Sequence, residues 1–402
     1  MITELTDTYP YASLARQLTA VPVPHEPATS AGPSLHEHPD TMPAADAPGR
    51  RVLLLTRYDH DDVGGRAVLC ALCESLQVTD PGVRITIVSG CPQARELPGV
   101  VEVIPRGASH LPRLLGAARR QDVVVVDAGG RRRDHRGGIS ALYGTARLQA
   151  LGLFNKNICG NALGAAAAPD PAFALSPAAP AEADRYLRGL GIPPGRPVIG
   201  VVMRGLDERS GGSLWARLHR PVLLNDSARD IALARALGQV ALAVETLALQ
   251  MDAAVLLLPT SNTGLESDSG YCYQLAAMLQ LDCVKVAQLH DPRLYKAVCG
   301  RLKLMISARA HPLILAAGMG VPGVALATGG EFDRYFDVLG IPRRVMKLDD
   351  CSDGTQAESL VALGEEAMND RIDLRKRCEL LRRRVIQDAT ALLEPPVAGT
   401  GA

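Results

Sequence analysis

Aromatic residues make up only 3% of this 402-residue chain, and lysine is scarcer still, at six of the 43 basic residues. With so few rings, the core has to be built from Ala, Val, Leu and Ile. Charge of either sign is not in excess, since Lys+Arg and Asp+Glu both number 43. A chain without a basic surplus is not expected to bind nucleic acid over a broad face. No run approaches the roughly 18 consecutive apolar residues of a membrane span. No basic segment followed by an apolar core opens the chain, so no secretory signal is read there. The expected location is cytoplasmic.

What remains is globular: 47% hydrophobic and 21% charged residues. A single hydrophobic core rarely grows past roughly 250–300 residues, so two domains are expected. Nine cysteines stand at 70, 73, 91, 159, 272, 283, 299, 351 and 378. The number is odd and most lie in apolar runs, which points to free, buried thiols of a reducing compartment. Cys70 and Cys73 form a C-x-x-C, but no second pair stands at zinc spacing. They lie in an apolar helical stretch, Ala67 to Leu76, and read as core.

Residues 1–49, rich in Pro, Ala, Thr and Ser, read as a disordered leader. From Arg51 short apolar runs alternate with helical stretches. Strands are expected at 52–56, 84–88, 101–104, 122–126 and 157–159, with helices at 64–77, 109–120 and 139–152. Strands hydrophobic on both faces and separated by single helices predict a parallel sheet. A stretch heavy in Ala, Pro and Gly follows, from Ala165 to Pro197. The pattern then restarts with strands at 197–202, 253–258, 283–286, 304–307 and 323–326. The long helix 227–251 carries Ile231, Leu237, Ala241, Val244 and Ala248 at helical spacing. The expected fold is α/β: two Rossmann-like domains, at 50–185 and 195–350, with parallel sheets facing across a cleft, and terminal helices over 355–393. Arg375–Arg377 and Arg382–Arg384 read as the solvated face of an amphipathic terminal helix.

Ligands of such sheets bind outside the carboxyl ends of the strands. Arg309-Ala310-His311 falls there, after the strand 304–307 and at the start of an apolar helix. An arginine at that position can bind a phosphate or carboxylate bidentately, and a histidine can act as general acid or base. Arg204 ends the strand 197–203 in the same way. Glycine turns follow three strands, at Asp62–Gly65, Asp127–Gly130 and Gly160–Gly164. None has G-x-G-x-x-G spacing, and no G-x-x-x-x-G-K-[ST] loop occurs. Asp268 reads as a loop carboxylate.

In order along the chain, these landmarks resemble the polysaccharide pyruvyl transferase family, over roughly residues 52 to 345. The specific part is Ser307-Ala308-Arg309-Ala310-His311-Pro312-Leu313, followed by Gly320-Val321-Pro322-Gly323. The resemblance implies a GT-B-like fold. It implies transfer of the pyruvyl group of phosphoenolpyruvate onto two hydroxyls as a ketal, with release of phosphate. Arg204 and Arg309 are then the expected donor clamp and His311 the general acid. Gly129, Gly130, Asn161, Asp268 and Glu331 are expected to line the cleft or hold the acceptor. Phosphoenolpyruvate is a co-substrate, so no cofactor and no metal are expected. The partners are the small-molecule donor and a hydroxylated acceptor, either a cell-surface glycan or a specialised metabolite. Homo-oligomerisation stays open. Two positions depart from the family pattern. Glu331 stands where a lysine is usual, and Gly65 where an acidic residue is. Either the donor or acceptor differs, or Arg334 compensates, or activity is lost. The competing readings are a GT-B glycosyltransferase using a nucleotide sugar and a non-catalytic homologue.

Overall fold

The structure, a computed structural model, describes residues 49–55, 62–90, 92–105, 107–126, 158–160, 169–204, 226–261, 268–327, 330, 332–348 and 356–393. The chain divides into Met1–Gly49, of which only Gly49 is described, and a compact unit, Arg50–Ala402. Two parallel sheets build the second unit.

The first sheet holds β1 (Arg51–Leu55), β2 (Arg84–Ser89), β3 (Val100–Pro105), β4 (Val123–Val126) and β5 (Ile158–Gly160). Their order is β3-β2-β1-β4-β5, with every pair parallel. Val123, Val124 and Val125 of β4 are buried and suit a strand covered on both faces, because β-branched side chains pack well on a pleated surface. Asp122 precedes them and accepts from Arg51 N at 2.8 Å, which fixes the entry of β4 beside β1.

The second sheet holds β6 (Val198–Val202), β7 (Ala254–Leu257), β8 (Val284–Val286), β9 (Leu304–Ser307), β10 (Gly323–Ala327) and β11 (Val345–Lys347). Its order is β11-β10-β9-β6-β7-β8, again all parallel. Each sheet starts in its middle and reverses direction once, between β1 and β4 and between β6 and β9. Those reversals are the switch points at which Rossmann-like sheets open a crevice at their carboxyl ends.

The helices are α1 (Val63–Thr79), α2 (Leu111–Arg120), α3 (Pro180–Gly189), α4 (Asp226–Met251), α5 (Asp268–Met278), α6 (Pro292–Cys299), α7 (Ala310–Gly318), α8 (Asp333–Leu339), α9 (Gln356–Asn369) and α10 (Leu374–Leu393). Of the helical face expected on α4, Leu237, Ala241, Val244 and Ala248 are buried, but Ile231 is 53% exposed. The periodicity therefore holds from Leu237 onward. The connector expected over 165–197 contains α3, whose Ala183 and Leu187 join a core with Val198 and Val298. Its alanine and proline content hid it, although Pro180 sits in the first turn, where proline costs no hydrogen bond.

The last helix ties the two sheets together. Leu374, Cys378 and Val385 of α10 pack in the core that contains Tyr295, Leu313 and Phe336. Ala389, Leu392 and Leu393 pack with Val52, Leu54 and Val123 of the first sheet. Its arginines are not merely solvated. Arg375 Nε donates to Met319 O at 3.0 Å, and Arg377 Nη1 donates to Leu339 O at 2.6 Å and Gly340 O at 2.7 Å. These guanidiniums therefore close the carbonyl ends of α7 and α8, where the helix dipole favours cations.

Cys70, Cys73, Cys272, Cys283, Cys299 and Cys378 are free and buried. Burial pushes the Cys70 thiol up to about 12, which fits core packing and not redox chemistry. Among the described residues no helix is long and apolar enough to cross a membrane.

Candidate active site

The carboxyl edges of the two sheets meet at the start of α1. Asp62 caps that helix, accepting from Gly64 N at 3.1 Å and Gly65 N at 3.3 Å. Val63 N donates to Thr260 O at 2.9 Å, and Asp62 forms an antiparallel bridge with Ser261. The glycine turn after β1 is thereby docked to the segment that follows β7 in the other sheet.

Arg309 stands where β9 turns into α7. Ser307 Oγ donates to Arg309 O at 2.7 Å and accepts from Arg309 N at 3.0 Å, so one hydroxyl shapes the whole turn. Arg309 is the N-cap of α7 and gives it no side-chain cap, leaving the positive end of the helix dipole at this edge. Its guanidinium is held through Nε at 3.3 Å and Nη2 at 2.8 Å on Asp268 Oδ1. Asp268 Oδ2 accepts from Thr260 Oγ1 at 2.6 Å and Thr260 N at 3.3 Å. Asp268 opens α5 and is fully buried, so it is neither a loop carboxylate nor a lining of the cleft. It orients Arg309 and offsets its charge.

His311 follows within the first turn of α7. Its Nε2 lies 3.6 Å from Asp170 Oδ2, and both side chains are 26% exposed. Asp170 Oδ1 accepts from Ala172 N at 2.9 Å, which fixes the carboxylate. Burial works to raise the Asp170 pKa. The hydrogen bond and charge of His311, the Ala172 amide and the charge of Arg334 outweigh it, and hold the carboxyl below its usual range. The charge of Arg334 is thus felt within this cluster.

The imidazole rests against Gly64. A Cβ at that position would stand 2.2 Å from His311 Nδ1 and 2.5 Å from Cγ. The first glycine of the turn is therefore required by the histidine from the opposite sheet. Gly64→Ala should destabilise the fold by about 1–3 kcal/mol, the usual cost of overpacking. Urea unfolding checks this, and an unchanged midpoint would contradict the contact.

Arg204, 8% exposed, lies just past the end of β6. β6 pairs with β9 through Val202 and Ser307, and Ala308 N donates to Val202 O at 2.9 Å. Arg204 and Arg309 consequently leave neighbouring strands at the switch point. Gly129, Gly130, Asn161 and Glu331 lie outside the described residues.

Sequence reading missed Asp170 and Thr260. Pro169-Asp170-Pro171 carries a helix-start signal, an N-cap carboxylate followed by proline, and a short 3-10 turn does begin there. That signal predicts a cap and says nothing of His311. Among the described residues no group of three His, Cys, Asp or Glu side chains could hold a metal ion.

A family model, polysaccharide pyruvyl transferase, matches residues 143–330. The match takes in Asp170, Arg204, Asp268, Arg309 and His311. No curated protein sequence is significantly similar to the chain. Solved structures resemble it at low identity. ADP-heptose lipopolysaccharide heptosyltransferase II of E. coli is 15% identical, with TM-score 0.45, over 79% of this chain and 99% of that one. A UDP-N-acetylglucosamine 2-epimerase assignment from Listeria monocytogenes is 13% identical, with TM-score 0.48, over 85% and 94%. The glycosyltransferase SnogD of Streptomyces nogalater is 16% identical, with TM-score 0.46, over 86% and 98%.

Proposed function

We propose that the chain, which matches the pyruvyl transferase model over residues 143–330, moves the pyruvyl group of phosphoenolpyruvate onto two hydroxyls of a sugar or sugar-like acceptor. The observation that carries this reading is the Arg309–His311 pair at the end of β9, with Arg204 leaving the neighbouring strand. Phosphoenolpyruvate bears a carboxylate and a phosphate, and arginine forks match both. The Asp268 carboxylate restrains Arg309 before the donor arrives, so less side-chain entropy is lost on binding.

His311 gives a proton to the methylene carbon of the donor, turning it into a methyl group and leaving a cation at the central carbon. Asp170 favours the protonated imidazole before that step. The first acceptor hydroxyl adds to the cation. The bond from carbon to the phosphate oxygen then breaks, and the second hydroxyl adds to complete the ketal. Of the two hydroxyl protons, one restores His311 and the other leaves with phosphate. Phosphoenolpyruvate is an intracellular metabolite, so the proposal carries a cytoplasmic location with it.

A thermal-shift series with phosphoenolpyruvate and nucleotide sugars tests the donor class. Stabilisation by a nucleotide sugar and none by phosphoenolpyruvate would replace this reading with a glycosyltransferase. The arginine is tested separately. Because Arg309 also neutralises Asp268, the informative comparison is Asp268→Asn against Arg309→Ala/Asp268→Asn. Loss of the guanidinium should weaken donor binding by about 1.5–3 kcal/mol, the range for a hydrogen bond to a charged group. Calorimetry giving equal affinities would remove Arg309 from the donor site.

A further inference from the structure

At the opposite end of α7 from His311 lies a cavity of about 330 Å³. Lys296 of α6 lines it together with Arg375 and Arg382 of α10. Lys296 is only 3% exposed. Its Nζ donates to Leu175 O at 2.6 Å and Phe173 O at 3.4 Å, and among the described residues it forms no ion pair. Burying an ammonium against neutral carbonyls alone is costly. Arg375 also spends its described hydrogen bond on a carbonyl, Met319 O. The lining has one carboxylate, Glu379, which is shared between Arg382 at 3.6 Å and Arg383 at 3.2 Å. Three cations thus face the cavity with less than one full counter-charge.

We propose that this cavity is a second ligand site, taking a small dianion such as a phosphate group between Lys296, Arg375 and Arg382. A volume of about 330 Å³ is ample for a phosphate on a short carbon chain. The state of Lys296 fits a missing counter-ion. Burial pushes its pKa down to about 8, and the Arg382 charge pushes the same way. Cys378 on α10, Glu74 on α1 and Cys299 on α6 oppose that shift without cancelling it. A bound dianion would supply the charge these neighbours do not, and would raise the pKa again. The site is distinct from the Arg309 cluster, yet one short segment touches both. Asp170 at its start meets His311, and Leu175 at its end accepts from Lys296.

Calorimetric titration of the full chain with orthophosphate at low salt tests the proposal. A binding event should persist in Arg309→Ala/Asp268→Asn, which separates it from the donor site. It should weaken about tenfold or more in Lys296→Met and in Arg382→Gln, since each loses a charge-assisted contact. Sulfate, dianionic throughout, serves for the pH arm. Its affinity should fall between pH 7 and 9 in the wild type as Lys296 deprotonates, and stay level in Lys296→Met. If Lys296→Met does not melt cooperatively, Arg382→Gln decides alone, because that side chain is 43% exposed and its loss leaves the core intact. Binding within about twofold of wild type in the variants overturns the site, as does no wild-type binding at about 10 mM, which corresponds to weaker than about 3 kcal/mol.

Discussion

His311→Asn is expected to lower single-turnover product formation by about 10²–10⁴, the usual yield of general acid catalysis, with far less change in donor affinity. Asn keeps the part of the imidazole that rests on Gly64, its Cβ, Cγ and Nδ1 positions. It cannot deliver a proton to carbon. The separation of turnover from binding is the diagnostic part. Turnover within about fivefold of wild type would take His311 out of the mechanism. Equal losses in binding and turnover would make it a ligand contact only. Asp170→Asn provides a second reading of the same cluster. It removes the negative charge that favours the imidazolium while leaving an acceptor near Nε2. The loss should be smaller than in His311→Asn, and the alkaline limb of the rate against pH, where His311 loses its proton, should move to lower pH.

The largest stability effect is expected at Asp268. Its carboxylate is fully buried, and the Arg309 side chain is 15% exposed. Breaking such a pair from one side leaves an uncompensated charge in a low-dielectric setting, which typically costs 3–5 kcal/mol, a rough range. Asp268→Ala should lose about that much in urea unfolding, since it also orphans the Thr260 hydroxyl. Removing both charges in Arg309→Gln/Asp268→Asn should recover a large part of the loss. A single-variant loss under about 1 kcal/mol would mean that the pair is well solvated and does not hold the turn after β9.

Much of the fold was already legible in the chain. Val123–Val126 and Leu304–Ser307 are strands because apolar runs of that length, bounded by polar turns, can be covered on both faces only in a parallel sheet. The positions of Arg204, Arg309 and His311 at strand ends follow from the same pattern, since a strand boundary is a local property. The boundary between Pro-Ala-rich connector and helix was not legible at α3, because alanine is equally at home in both.

Contacts between distant segments were decided only by the tertiary structure. Asp268 reads as a loop carboxylate of the cleft until β7 and β9 flank β6 and bring it against Arg309. Gly64 reads as a flexible turn until the second sheet sets His311 against it. Asp170 carries no more than a local cap signal until the same histidine reaches it, and the basic stripe of α10 reads as solvated until it crosses the carbonyl ends of α7 and α8. Periodicity reports which face of an element is buried and is fixed by neighbours a few residues away. The partner of a buried charge is fixed by how parallel crossovers stack strand ends side by side, and that arrangement leaves no trace in any single stretch of sequence.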